Sequence, residues 1–421
     1  MNRTICYSIL LWTIALQSTL AAQQNQSTNQ IWKLGDPIVT YWAGPPLTDT
    51  VAHQMADGGW NLVWCKESEL DIAHRHGLRA QLQDGLISPA NLEDPAKKEK
   101  LDALVDRVKN HPALYSYFIT DEPNATNFPS LGRLVSYLRE RDPSHLAYIN
   151  LFPTYASNAQ LGNKGDTVTA YNEHLRQYID IVKPALISYD HYQFAVVGDA
   201  TDYFLNLALI RRASLQAELP FLNIVQACTW SKHMRVPVPD EMRYLVYTTI
   251  AYGAQGISYY VYCHPNHVGM IVQEDGTPTE RYHVLKTLNR EFAAIVTQLK
   301  PYQSLGVYHA GMLPPGAVPL PKDAPFRPDP PVEPMDYKTL QPVKGVLLGY
   351  FGQSKSTEKS AQPTHCVVVN LDYKAEAKVG LTGPGKLEIY DALLGLWTKT
   401  SASRCELRLP KGGGTLVRIE K

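Results

Sequence analysis

The sequence carries no excess charge of either sign: 40 Lys and Arg balance 40 Asp and Glu over 421 residues. No long-range field therefore draws it to nucleic acid or to an anionic membrane, and a neutral ligand is the partner such a surface suits. No segment holds the ~18 to 20 consecutive apolar residues that a membrane helix needs, so no membrane span is expected. No Gly-rich phosphate loop follows the first strand, which argues against a doubly wound sheet, the alternative to a barrel. No Gly-x-Ser-x-Gly elbow is present, and Cys228 has no diagnostic flanks, so neither a serine nor a cysteine nucleophile has a signature. Cys228, Cys263, His264, His267, His191 and His233 could cluster on a metal, but barrel metallohydrolases usually take two histidines from strand one, and here that strand reads Thr40-Tyr41-Trp42. Neither metal nor cofactor is expected.

Cysteine is sparse, at six residues. Cys6 lies within a start that has the layout of a secretory signal: Met1-Asn2-Arg3, an apolar run from Ile5 to Leu16, then Thr19-Leu20-Ala21-Ala22. Residues 1–22 are read as that signal and 23–35 as a linker, which makes the chain secreted or periplasmic. The remaining five cysteines are an odd count, so at least one thiol stays free; Cys366 and Cys405, both late in the chain, could bridge.

Residues 36–303 alternate short β-branched or aromatic runs with amphipathic stretches. Strands are expected near 38–42, 61–65, 79–84, 114–120, 146–150, 185–190, 221–226 and 256–262. Helices are expected over 93–110, 131–140, 171–182, 204–217, 240–252 and 280–299, with Ser130, Asp240 and Thr279 as caps. Eight such units predict a (β/α)8 TIM barrel, an α/β fold. Residues 304–345 form a proline-rich connection, with ten prolines between 311 and 342. Residues 346–421 then alternate in short runs as a small antiparallel β-sandwich, expected to pack on the barrel and cover its flank.

Catalytic groups of such barrels stand where strands end at the carboxyl-terminal rim. The fourth strand ends in Thr120-Asp121-Glu122-Pro123, an acid pair fixed by a proline. Two adjacent carboxylates repel, so one of them should hold its proton to higher pH, as a general acid must. Other strand ends supply Tyr41 and Trp42, Asp84, Asn150, Asp190 with His191 and Tyr192, Gln226 with Trp230, and Tyr260 with Tyr262. Asp84, next to Gly85, fits a turn equally well. Carboxylates for hydroxyl binding and proton transfer, beside aromatic faces for stacking, suit a carbohydrate, and glycosidic cleavage is the chemistry most often built from such a pair.

The segments Pro220–Gln226, Pro239–Tyr244, Tyr252–Tyr260, Leu186–Tyr192 and Asp275–Tyr282 together resemble the second half of the barrel in family 42 glycoside hydrolases. The resemblance implies a retaining clan whose acid/base is the Glu of an Asn-Glu pair on strand four and whose nucleophile is a Glu on strand seven. Glu122 then matches the acid/base, with Asp121 where the clan has Asn. Strand seven departs from the pattern, since Val225-Gln226 cannot form a glycosyl ester. Three readings follow: an inverting or otherwise atypical glycosidase with Glu122 as acid and Asp190 or Asp121 activating water; a sugar-binding barrel without turnover; or an exported polysaccharide lyase. Flat-sheet spacing places the ends of strands four and six about 9 Å apart, which is room for a water.

Overall fold

The structure is a computed structural model that describes residues 32–353 and 362–420; the expected signal and most of the expected linker lie outside them. Eight parallel strands form one sheet: β1 (Ile38–Trp42), β2 (Leu62–Cys65), β3 (Arg79–Leu82), β4 (Leu114–Asp121), β5 (Leu146–Leu151), β6 (Ile187–His191), β7 (Phe221–Gln226) and β8 (Gly256–Tyr260). Backbone ladders run β1-β8-β7-β6-β5-β4-β3-β2. Side chains complete the seam between β1 and β2. Thr40 Oγ1 donates to the Leu62 carbonyl at 2.8 Å, Asn61 Oδ1 accepts from the Val39 N–H at 3.0 Å, and the Trp64 indole N–H donates to the Tyr41 carbonyl at 2.7 Å. The sheet is thereby a closed (β/α)8 barrel, as its eightfold alternation foretells.

Among the described residues, one helix of six residues or more follows each strand: α1 (Asp49–Asp57), α2 (Leu70–Arg75), α3 (Pro95–Val108), α4 (Phe128–Arg141), α5 (Thr167–Gln177), α6 (Tyr203–Ala217), α7 (Pro239–Ala251) and α8 (Glu280–Leu299). Start signals are local and physical. Asp94 accepts from the N–H groups of Ala96 and Lys97 ahead of α3, and Asp166 from that of Thr169 ahead of α5. Of the expected caps, Thr279 stands at the N-cap of α8, whereas Ser130 and Asp240 fall inside the first turns of α4 and α7.

Alternation along each strand divides the side chains into two cores. Val39, Tyr41, Val63, Tyr117, Tyr189 and Tyr259 face the helices. Ile38, Leu62, Leu146, Leu186, Leu222 and Ile224 fill the lumen, joined by Trp32 and Tyr115. Residues 32–35, expected as linker, belong to this lumen plug: the Trp32 N–H donates to the Pro143 carbonyl at 2.7 Å and Tyr115 donates to the Leu34 carbonyl at 2.8 Å.

A β-sandwich follows, and it begins earlier than the sequence suggests. β9 (Gln303–Gly311), expected to open the proline-rich connection, pairs antiparallel with β10 (Gly345–Gly352). The larger sheet continues with β11 (His365–Asn370), β16 (Gly414–Ile419), β13 (Leu387–Asp391) and β14 (Leu396–Lys399); β12 (Ala377–Thr382) and β15 (Arg404–Leu409) form the smaller one with a short strand, Arg327–Pro328, that pairs with β12. The proline-rich connection is thus confined to the stretch between β9 and β10, and it lends Arg327–Pro328 to the smaller sheet. Cys366 and Cys405 are both buried between the two sheets as free thiols, so the possible bridge is not formed. The outer face of the larger sheet packs on the barrel, with Leu347, Val367, Val369 and Leu416 sharing the barrel's own core. Gly349 permits the approach, because a Cβ there would lie 2.2 Å from the Ala251 carbonyl at the end of α7.

Candidate active site

β4, β5 and β6 bring their last lumen-facing side chains together at the carboxyl-terminal mouth. Asn150 is the hub. Its Nδ2 donates to Asp121 Oδ1 at 3.0 Å and to Asp190 Oδ1 at 2.9 Å, while its Oδ1 accepts from Ser188 Oγ at 3.0 Å. Ser188 in turn accepts from Tyr148 at 2.8 Å, so the amide can neither flip nor swing away from the two carboxylates.

Glu122 follows Asp121 with a φ of +41°, in the left-handed region where a side chain costs about 1 to 3 kcal/mol. An extended conformation is the sequence expectation before a proline; the left-handed one also escapes the clash with the proline ring that forbids the right-handed region. The bond from the Glu122 N–H to the Asn150 carbonyl at 2.9 Å holds the turn. This turn carries the Glu122 carboxyl inward until it shares a hydrogen bond with Asp190. The flat-sheet separation of about 9 Å is therefore corrected to direct contact: strands of a closed barrel tilt about its axis, and side chains that point inward converge.

Burial raises the Glu122 carboxyl to about 7, the nearby Asp121 charge adds to that rise, and the hydrogen bond with Asp190 opposes it. Asp190, 3% exposed, is pushed well above the usual carboxylate range by burial first and then by the charge of Glu122, against the pull of Asn150. The pair holds a proton near neutrality, and Glu122 is the more accessible end of it.

Aromatic rings flank these acids. Tyr192, Trp230 and Tyr260 form one cluster, with ring centroids 4.7 Å apart for Tyr192 and Trp230, 4.7 Å for Trp230 and Tyr260, and 5.1 Å for Tyr192 and Tyr260. Trp42 packs edge-on to Trp64 at 5.0 Å, and Trp64 lies 4.7 Å from Phe118. Trp230 is 37% exposed and so presents a ring to solvent.

The mouth thus gathers Asp121, Glu122, Asn150, Asp190, Trp42, Tyr192, Trp230 and Tyr260 from the residues expected on sequence. It does not gather the other five. Tyr41 and Tyr262 are buried against each other between sheet and helices, centroids 5.1 Å apart. Tyr41 cannot share a face with Trp42, its neighbour on the strand. His191 also points to the helices, bonded to Asn206 at 3.0 Å. Asp84 takes the turn role, accepting from the Leu86 N–H at 2.8 Å. Gln226 is wholly occupied with backbone: Oε1 accepts from the Phe194 N–H at 2.8 Å, and Nε2 donates to the carbonyls of Arg235 at 2.7 Å and Phe194 at 3.1 Å. It clamps the loops after β6 and β7 together.

Trp64, which shares the period of Leu62, stands at the end of β2 as the sequence places it, whereas two other residues of the mouth escaped the sequence reading. Phe118 keeps the period of Ser116, in register with Tyr148, and was findable; the register shift that follows it turns Asp121 rather than Thr120 toward Asn150. Tyr155, which hydrogen-bonds to the Tyr192 backbone and lies near Asp190 and Glu122, sits in an aperiodic loop with no signal. A cleft of about 820 Å³ lies at the opposite end of the barrel, lined by Trp32, Arg139, Lys183, Arg211, Gln255 and Ser304 among others. Barrel chemistry is built at the other rim, where the acids converge.

Fold and mouth together define a (β/α)8 barrel protein with a carboxyl-rich, aromatic-walled site. Among known proteins, no family model and no curated sequence matches the chain. Solved structures it is similar to include glycoside hydrolases of TIM-barrel type. They include a protein from Bacteroides fragilis assigned as an α-galactosidase, with TM-score 0.48 and 9% identity over 92% of this chain and 79% of that one. They also include β-galactosidases from Rahnella sp. R3, with TM-score 0.46 and 12% identity over 63% and 57%, and from Halorubrum lacusprofundi, with TM-score 0.43 and 12% identity over 61% and 58%. The chain therefore spans little more than half the length of these two β-galactosidases.

Proposed function

We propose that the chain is an exported glycoside hydrolase that cleaves O-glycosidic bonds of oligo- or polysaccharides, with Glu122 as the general acid. The observation that carries this is the position of Glu122: a carboxyl raised to about 7, at the centre of an aromatic-walled barrel mouth, next to a carboxylate and hydrogen-bonded to a second acid. Such a group is about half protonated at neutral pH and can hand its proton to a leaving oxygen. Tyr192, Trp230 and Tyr260 offer rings for a sugar to lie against, and Asp121 and Asn150 offer groups for its hydroxyls. The resemblance of the barrel's second half to family 42 glycoside hydrolases supports the same class. The layout of residues 1–22 supports export.

Aryl glycosides and oligosaccharides incubated with the wild type and with Glu122→Gln test the proposal. Hydrolysis by the wild type that falls about 100-fold or more in the variant is the expected result. Hydrolysis that survives the substitution unchanged would remove Glu122 from the acid role.

A further inference from the structure

The described residues supply an acid but no second carboxylate placed to complete either standard mechanism. A retaining pair stands about 5 to 5.5 Å apart across the glycosidic bond, and an inverting pair about 6.5 to 9.5 Å, with the sugar or a water between them. Glu122 and Asp190 touch, so no sugar ring passes between them. On β7 the lumen-facing position at the rim is Gln226, whose amide is spent on the backbone of Phe194 and Arg235. Five other acids of the rim loops are engaged elsewhere, and Glu274, on the loop after β8, is exposed beside Cys263. Glu67 pairs with Arg107 at 2.6 Å, Asp84 closes its own turn, Asp202 accepts from Thr154 at 2.6 Å, Asp199 accepts from Tyr373 at 2.8 Å, and Glu241 pairs with Arg235 at 2.6 Å. Nor is a tyrosine activated: burial pushes Tyr260 up to about 12, and the neighbouring acids push in the same direction.

Asp121 is the remaining acid of the mouth. It lies beside Glu122, fixed by Asn150, and its negative charge is felt by Glu122. An acid and an adjacent fixed anion on one side of a pocket, with nothing opposite, are what a reaction needs when the substrate brings its own nucleophile.

Resting on the glycosidase reading, we infer that the substrate is a 2-acetamido-2-deoxy glycoside, that its acetamide oxygen attacks the anomeric carbon, and that Asp121 holds the acetamide N–H. In the first step a bond forms from the carbonyl oxygen to the anomeric carbon as the glycosidic C–O bond breaks. The leaving oxygen takes the Glu122 proton, and the cationic oxazolinium ring so formed keeps its N–H against the Asp121 carboxylate. In the second step water adds to the anomeric carbon and gives a proton back to Glu122 as the bond to the acetamide oxygen breaks. The sum is hydrolysis with retained configuration, by the recognised exception to the two-carboxylate rule in which the substrate assists.

The test uses the full chain on paired 4-methylumbelliferyl glycosides that differ only at C2, acetamido against hydroxyl, in gluco and galacto configuration and both anomers. Cleavage confined to an acetamido member, with retention by proton NMR and kcat/KM falling at least about 100-fold when the N-acetyl group becomes N-trifluoroacetyl, is the expected outcome. Asp121→Asn should lower kcat on the acetamido substrate by a similar factor and make the rate less sensitive to fluorination. Glu122-dependent cleavage of a 2-hydroxy glycoside at a comparable kcat/KM overturns the inference and leaves the glycosidase reading standing. Absence of Glu122-dependent hydrolysis across the panel, extended to oligosaccharides, overturns both.

Discussion

The carboxyl of Glu122 meets the carboxyl of Asp190 in a shared hydrogen bond, although the two residues come from strands that are not neighbours in the barrel. Asn150, on the strand between them, bonds to Asp190 directly and receives the Glu122 N–H on its carbonyl. The proton held by this pair is the one that chemistry at the mouth has to use, and the following expectations are built on it.

Activity should fall as pH rises through about 7. Glu122 acts as an acid only while protonated, and its carboxyl is raised from 4.5 to about 7. A profile of kcat/KM against pH should therefore show a basic limb with its midpoint near that value. A limb beginning only above pH 9 would assign the proton to another group.

Stability should carry the same signature. The folded state holds the Glu122 proton up to about 7 while the unfolded chain releases it near 4.5, so the folded state binds more protons between those values and stability declines as pH rises through that window. Glu122→Gln abolishes this loss. Thermal melts should show the variant gaining on the wild type at pH 8, by the equivalent of about 1 to 3 kcal/mol, and gaining less at pH 5. An unchanged difference at the two pH values would contradict the assignment.

Asn150→Ala removes the amide that fixes both Asp121 and Asp190 and that opposes the rise of their carboxyl groups. Both acids should then hold their protons to higher pH. Loss of the clamp should reduce kcat by about 10- to 100-fold, while KM should change less than kcat.

Gln226→Glu places a nucleophile-like carboxylate on β7 and should not create a retaining enzyme. Gln226 Nε2 now donates to the Arg235 and Phe194 carbonyls, and a buried carboxylate facing those oxygens has nothing to donate. Destabilisation of about 2 to 4 kcal/mol, read by denaturant unfolding, is expected without any gain in turnover.

Tyr373→Phe tests the link between sandwich and mouth. Tyr373 donates to Asp199, which closes the short hairpin after β6 and also faces Arg235. Without that hydroxyl the buried Asp199 carboxylate keeps Arg235 alone. A loss of about 1 to 3 kcal/mol and faster proteolysis near residues 194–200 should follow, visible by mass spectrometry of the fragments.

Much of the barrel was legible because each strand is short, β-branched or aromatic, and bounded by turns. β1 and β7 match their expected ranges, and α8 runs over 280–299 as its period indicates. The mouth was legible where strict alternation holds: Trp42, Asn150, Asp190 and Tyr260 all follow from counting by two. It was not legible where alternation fails or where residues meet through space. The bulge on β4 turns Asp121 toward Asn150 out of phase with Phe118, and the left-handed backbone at Glu122 has no sequence mark beyond Pro123. The engagement of Gln226 with two loops depends on carbonyls far from it in the chain, at Phe194 and Arg235. β9 was hidden because its start, Gln303-Ser304-Leu305-Gly306, reads as turn and its partner lies beyond the proline-rich stretch.

The join between β1 and β2 gives the barrel a preferred place to tear. Every other neighbouring pair of strands is held by a ladder of main-chain bonds, whereas this pair has a main-chain bond from the Asn61 N–H to the Val39 carbonyl at 3.0 Å and otherwise relies on the side chains of Thr40, Asn61 and Trp64. Side chains can rotate away one at a time, and ladders cannot. The hoop therefore has a hinge line, and under heat or denaturant it should split there and unroll as a sheet before its strands part, with the wall that bears Trp42 and Trp64 leaving the mouth first.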